Sequence, residues 1–226
     1  KSYINKIVES VRERFLAEPV RLVHDKDISK EALNMVKKIL GVGTNDSLIP
    51  GGRYHHRRDY MNFPQLNRSD LQYERKEALP INGLSLEKSI FKAIKRKDYL
   101  LYTPYHSFSF VIKFLREAAL DPEVTIIKIT IYRLSKLSNV ASSLINAAKN
   151  GKKVLVQIEL QARFDETNNI IYAEQMQAAG VELIFGIPGL KVHSKICVIE
   201  KSTQGKKMRY GFISTGNFNE DTAKVY

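Results

Sequence analysis

The run Val124-Thr125-Ile126-Ile127-Lys128-Ile129-Thr130-Ile131-Tyr132 is almost unbroken in apolar and β-branched residues. A strand of that composition has no polar face to turn to water, so it is expected to lie inside a sheet with both faces covered. Its neighbours supply the cover. Strand Tyr99–Tyr102, helix Phe108–Ala119 and the turn Asp121-Pro122 come before it. After it the pattern reads helix Asn139–Lys149, strand Val154–Leu160 and helix Asn168–Ala179, then strands Val181–Phe185, Ile196–Glu200 and Arg209–Ser214. Strands alternating with helices across short turns such as Asn150-Gly151 predict a sheet flanked by helices. The last two strands are joined by the charged turn Gln204-Gly205-Lys206-Lys207 and read as antiparallel, so the sheet is expected to be mixed. The class is α/β, or α+β overall once the residues ahead of this sheet are included.

Those earlier residues read as a smaller α+β unit. Residues 2–16 set Ile4, Ile7, Val8, Val11 and Phe15 at helical spacing, with Glu9, Arg12, Glu13 and Arg14 on the other side. Val20-Arg21-Leu22-Val23 alternates as a short strand, and His24 at its end reads as a surface residue. Ser29 is placed to cap a helix carrying Leu33, Val36, Ile39 and Leu40, which Gly41 and Gly43 stop. The segment 66–84 is polar, with Pro80 and Asn82-Gly83 as turn signals, and the domain boundary is expected there. That gives 1–84 as the smaller unit and 85–226 as the sheet-bearing one. Ser85 to Lys97 reads as a helix with Ile90, Phe91 and Ile94 inward and the cations Lys95-Arg96-Lys97 at its C-terminal end.

Charge narrows the partners. With 36 Lys+Arg against 24 Asp+Glu, the formal net charge is +12, which calls for a polyanion: nucleic acid, an anionic membrane, or a phosphate-rich molecule or polymer. Cys197 is the single cysteine, so there is no disulfide framework and no cysteine-based metal site, and a reducing compartment is expected. No apolar run approaches the length of a membrane span, and no signal-peptide pattern opens the sequence; spanning and export are not expected.

Residues suited to phosphate sit at the ends of predicted strands. Pro188-Gly189-Leu190-Lys191-Val192-His193-Ser194-Lys195 delivers His193 and Lys195 to one face of a strand start, since side chains two apart point the same way. A neutral imidazole can attack phosphorus, and an ammonium beside it neutralises phosphate oxygens. Read alone, the stretch is equally a strand start with an incidental histidine and a solvated lysine. Arg133, Arg163 and Asn217 follow other strands, and ligands of such folds bind at strand carboxyl ends. The spacings Arg133 to Arg163 (163 − 133 = 30) and Arg163 to His193 (193 − 163 = 30) fit successive βαβ units facing one cleft. Arg53 lies in a further basic stretch, Gly51-Gly52-Arg53-Tyr54-His55-His56-Arg57-Arg58, which suits phosphate or, more plainly, is a solvated loop. His55 and His56 are adjacent and point apart, so they are not read as a metal pair.

These motifs resemble one family. Gly52-Arg53-Tyr54-His55 with Asn62-Phe63-Pro64, Ile129-Thr130-Ile131-Tyr132-Arg133, Ala162-Arg163-Phe164-Asp165-Glu166 with Asn168-Asn169, Gly186 to Lys195, and Ser214-Thr215-Gly216-Asn217-Phe218-Asn219-Glu220 are together similar to the bacterial polyphosphate kinases that work through a phosphohistidine. The resemblance implies phospholipase-D-like catalytic domains, and this chain then reads as an internal fragment. Residues 1–84 would be the C-terminal part of the family's middle domain, and 85–226 the first phospholipase-D-like domain, incomplete at its C-terminus. It implies reversible transfer of the ATP terminal phosphate to inorganic polyphosphate with Mg²⁺. His193 would be the phosphorylated nucleophile, Lys195 its catalytic partner, and Arg133, Arg163, Asn217 and Arg53 phosphate holders. Tyr226 would contact the nucleotide, ATP or ADP. Arg133 and Arg163 match residues of the family's magnesium site; a guanidinium cannot coordinate a cation, so both are read as lining the metal–phosphate site rather than as ligands. Glu200 stands where phospholipase D enzymes carry Asp and receives no role. The resemblance also implies a homo-oligomeric, cytoplasmic protein, with peripheral contact at the inner membrane face as an added option and no nucleic-acid partner. The isolated fragment is expected to be inactive. The competing readings are a phospholipase-D-type phosphodiesterase or nuclease and a non-catalytic polyphosphate-binding piece.

Overall fold

The computed structural model describes residues 6, 9, 10, 13, 16–44, 46–53, 60, 63, 64, 66–74, 77–159, 166–187 and 190–225. The backbone forms two units, Lys1–Arg75 and Lys76–Tyr226. In the first, the described positions 6, 9, 10, 13 and 16 are helical where the amphipathic helix is expected; its other positions lie outside the described residues. Strand β1 (Arg21–Asp25) leads through helix α1 (Lys30–Leu40) to β2 (Ser47–Gly51), which pairs with β1 in parallel. Ser29 caps α1 as expected, its hydroxyl accepting from the Ala32 N–H at 3.1 Å, and Gly41 ends the helix at φ 68°. The sequence gives no warning of β2, because Pro50 cannot donate to a ladder; opposite His24, in a two-stranded sheet, it does not have to.

The second unit holds a five-stranded mixed sheet in the order β5-β4-β3-β6-β7. Its strands are β3 (Val124–Ile131), β4 (Lys153–Ile158), β5 (Glu182–Phe185), β6 (Lys195–Thr203) and β7 (Lys206–Ser214). β3, β4 and β5 are parallel neighbours, while β6 runs antiparallel to both β3 and β7. The mixed sheet is as expected. Helices α3 (Ser109–Leu120), α4 (Asn139–Lys149) and α5 (Glu166–Ala178) pack on β3, β4 and β5. Gln204 and Gly205, both at positive φ, make the two-residue turn of the β6–β7 hairpin, as such turns require.

Three expectations are corrected. The helix over 85–97 shrinks to α2 (Ile90–Ile94), because Ser85 folds its hydroxyl onto the Glu87 N–H while Ser89 and the Glu117 carboxylate take the first free amides. The strand Tyr99–Tyr102 does not form: Tyr102 N–H donates to His106 Nδ1 at 2.9 Å, and His106 N–H donates back to the Tyr102 carbonyl at 2.8 Å, closing a turn instead. And β3 is covered only in part on its second face, where Val124 and Thr130 are buried, Ile126 is half-buried and Lys128 is exposed. Ile127, Ile129 and Ile131 are buried with Val154, Val156, Ile158, Cys197 and Ile199 under the helices, whereas Thr125 and Lys128 face solvent, with Ile184, Ile196 and Ile213 also exposed. Among the described residues no helix is long and apolar enough to cross a membrane.

Candidate functional site

Because β6 runs against β3, its first residue lies at the end of the sheet where β3 and β4 finish, and Lys195 pairs with Ser214, the last of β7. One rim of the sheet therefore collects Tyr132-Arg133, Glu159, His193-Ser194-Lys195 and the 215–220 loop. This is the carboxyl-end rim that the sequence favours. β6 begins at Lys195, so His193 stands just outside the ladder, in the approach to the strand rather than on its face as expected.

The approach is nevertheless fixed on both sides of the histidine. Val192 is buried, and its N–H donates to the Glu159 carboxylate at 3.3 Å. The Thr130 hydroxyl donates to the Ser194 carbonyl at 2.7 Å and accepts from the Ile196 N–H at 3.0 Å. His193 itself is exposed. Lys195 is only 7% exposed and sets its Nζ 3.0 Å from Nδ1 and 2.9 Å from Nε2 of His193. An ammonium has no lone pair, so this contact is a donation to whichever ring nitrogen lacks a proton, which is the nucleophilic one of a neutral imidazole. Burial lowers the Lys195 pKa from the ordinary lysine value, and the neighbouring Tyr132 phenol opposes the shift.

Arg133 is placed through its neighbours. Asn169, fully buried, donates from Nδ2 to the Tyr132 carbonyl at 2.9 Å and the Glu159 carbonyl at 2.8 Å, and its Oδ1 accepts from the Leu134 N–H at 3.1 Å. The main chain is thus held immediately before and after Arg133. The Arg133 guanidinium lies 5.5 Å from the Tyr132 ring centroid. Asn217 is carried by the loop after β7. Phe218 is buried against Phe212, and the Glu220 carboxylate accepts from the Ser135 hydroxyl at 2.7 Å and from the Asn139 and Val140 N–H groups at 2.5 and 3.2 Å, at the N-terminus of α4. So His193, Lys195, Arg133 and Asn217 share one rim.

Arg53 belongs to the first unit, where it is exposed and its Nε donates to Asp25 at 3.0 Å. Arg163, Tyr226 and the turn residues Pro188 and Gly189 lie outside the described residues. Glu200 sits about 16 Å further along β6 than Lys195, with Lys128 at 3.4 Å and Arg209 at 3.6 Å. Among the described residues no group of three His, Cys, Asp or Glu could hold a metal ion. Thr130, Tyr132, Glu159, Asn169 and Glu220 were given no role by the sequence. For Thr130, Tyr132 and Glu159 the available signal was a polar side chain inside or just after an apolar run, at the end of a strand; Asn169, within α5, and Glu220, in the loop after β7, carried no such signal.

Three comparisons bear on this arrangement. The family model described as polyphosphate kinase C-terminal domain 1 matches residues 89–226, and the one described as polyphosphate kinase middle domain matches residues 1–63. The polyphosphate kinases of Yersinia pestis and Escherichia coli (strain K12) are 44% identical over 225 residues and 43% identical over 230. Both alignments cover the whole chain, and the chain spans 33% of the length of each of these relatives. The crystal structure of polyphosphate kinase from Porphyromonas gingivalis superposes with a TM-score of 0.64 at 35% identity, over 93% of this chain and 33% of that one. A family model that takes in the entire sheet and its rim, beside identity of this order along the full sequence, leaves one assignment: the chain belongs to the polyphosphate kinase family.

Proposed function

We propose that the whole protein, of which this chain is about a third of the length of its relatives, transfers the terminal phosphate of ATP reversibly to inorganic polyphosphate through a phosphohistidine at His193. The observation that carries the proposal is the contact of the buried Lys195 ammonium with both ring nitrogens of the exposed His193. In that contact the ammonium donates to a ring lone pair and so stands beside the nucleophilic atom. When a triphosphate arrives, its terminal oxygens compete for the ammonium and the ring lone pair is released. The lone pair then forms a bond to the γ-phosphorus while the bond to the β–γ bridging oxygen breaks, and ADP leaves with those electrons. In the second step a terminal oxygen of polyphosphate takes the phosphoryl group from the nitrogen.

Charge neutralisation falls to Lys195 and Arg133, with Arg163, Asn217 and Arg53 as further phosphate holders and Tyr226 at the nucleotide. The cationic rim does not fit a metal held by protein side chains; Mg²⁺ is assigned to the nucleotide phosphates, and no step of this chain is drawn through it. The net charge of +12 suits a polymer with about one negative charge per unit. Residues 1–84 are assigned to the end of the middle domain and 85–226 to the first catalytic domain of a cytoplasmic homo-oligomer, and the 226 residues alone are proposed to be inactive.

The test is incubation of the full-length protein with Mg²⁺ and γ-labelled ATP. The expected result is an acid-labile, base-stable protein label that maps to His193 and moves to added polyphosphate. Absence of label, with cleavage of a phosphodiester instead, replaces this reading with a phosphodiesterase.

A further inference from the structure

Tyr132, the residue that follows β3, has no part in the chemistry above, yet the reactive groups of the rim gather round its ring. The His193 imidazole stands edge-on to it, with centroids 5.2 Å apart and planes at 78°. Arg133 lies 5.5 Å from its centroid, Lys191 5.5 Å and Lys195 5.6 Å. The tyrosine main chain is itself immobilised, since its carbonyl accepts from the fully buried Asn169. All three cations lie within 5.6 Å of this one ring centroid, and such an array of like charges is helped by a group that favours their convergence before a phosphate is present. The electron-rich face of an aromatic ring does so without bearing a charge. A carboxylate would gather them more strongly, but it would pair with Lys195 in place of His193 and repel the incoming anion. A neutral ring attracts the cations and leaves the phosphate unopposed.

We propose that Tyr132 is a positioning residue: its ring is the platform that holds Lys195, Arg133 and Lys191 round an edge-on His193, so that a terminal phosphate meets cations already converged on the nucleophile. This rests on the reading of His193 as the phosphoryl acceptor. The ring face acts and the hydroxyl is dispensable, so the two can be separated by substitution. Phenylalanine keeps the face. Phenylalanine analogues with one, two and three ring fluorines keep the size while draining the face of electron density, and Tyr132→Leu removes it.

The experiment measures single-turnover labelling of His193 by γ-labelled ATP in the full-length protein, at limiting and saturating nucleotide, with melting temperature recorded for each variant. Tyr132→Phe is expected to label within about threefold of the unsubstituted protein, and the fluorinated series to slow progressively to about tenfold below phenylalanine at saturating ATP. Melting temperatures should not move across the series, and Tyr132→Leu should be slowed at least as much as the most fluorinated variant. A flat fluorine series overturns the proposal, whether or not Tyr132→Leu folds, because the analogues preserve shape. If the unsubstituted protein carries no label at His193, the phosphohistidine reading fails, and this proposal with it; label there with a flat series removes Tyr132 alone.

Discussion

Asn169 makes three bonds to main-chain groups at the ends of β3 and β4 from a fully buried position. Two of them need the amide to donate. Asn169→Asp keeps the shape and turns a carboxylate towards two carbonyl oxygens, so its carboxyl should titrate above the ordinary range. Protonated, it can donate once again. The variant is therefore expected to be destabilised by about 2–4 kcal/mol at pH 8, with part of the loss recovered as pH falls through its raised folded-state value. Urea denaturation at pH 8 and pH 5 checks this, and an equal deficit at both would mean that the two donated bonds are dispensable. The same residue marks the limit of what could be read beforehand. His193 and Lys195 were legible because two side chains at alternate positions and their chemistry are local facts. Asn169, Glu159 and Thr130 act on partners 35, 33 and 64 residues away, and only the folded sheet defines those pairings.

At the scale of elements, the hairpin of β6 and β7 was legible for a local reason, the Gln204-Gly205 turn, and its register then follows over nine residue pairs from Lys195↔Ser214 to Thr203↔Lys206. Within it, Gly211 is required by close approach rather than by its dihedral angles. A Cβ there would lie 2.2 Å from the Cys197 carbonyl oxygen, a main-chain atom that a ladder cannot easily yield. Gly211→Ala should cost about 1–3 kcal/mol and raise the hydrogen-exchange rate of the β6 and β7 amides, leaving those of β4 and β5 unchanged. Unaltered exchange in β6 and β7 would mean that the edge strand can shift aside. Elements whose existence depends on tertiary partners were misread. Tyr99–Tyr102 has strand-forming residues, but a strand is defined by pairing, and the Tyr102 amide donates to His106 instead. The length of α2 is set by the carboxylate of Glu117, 27 residues away, and not by the helical periodicity that predicted its span.

Across the sheet-bearing unit as a whole, a second cluster of charges lies at the end of the sheet away from His193. There Lys201 of β6 reaches back to the turn before β3, with Nζ 2.6 Å from Asp121 and 2.9 Å from Glu123. Burial pushes the Asp121 carboxyl up, but the hydrogen bond from Lys201 and the Glu123 N–H outweigh it and hold the pKa below the ordinary range. Lys201 moves the other way: burial lowers its pKa, and the two carboxylates more than restore it. The Asp121 contribution to stability is present above the unfolded-state value, near pH 4, and is lost as pH falls through the lower folded one. The Lys201 contribution is present below roughly pH 10.5 and is lost as pH rises through the higher folded value. Lys201→Met keeps an apolar stem over the Phe91 ring, 5.6 Å from Nζ in the native contact, while removing the charge. At pH 7 the variant should be less stable by about 1–3 kcal/mol, between the values for exposed and buried pairs. The difference should shrink as pH falls below the unfolded-state carboxylate value near 4 and on through the lowered folded values of Asp121 and Glu123. Thermal melts of the two proteins from pH 7 to pH 3 measure it; a gap of constant size would assign Lys201 to packing against Phe91 and not to its ion pairs.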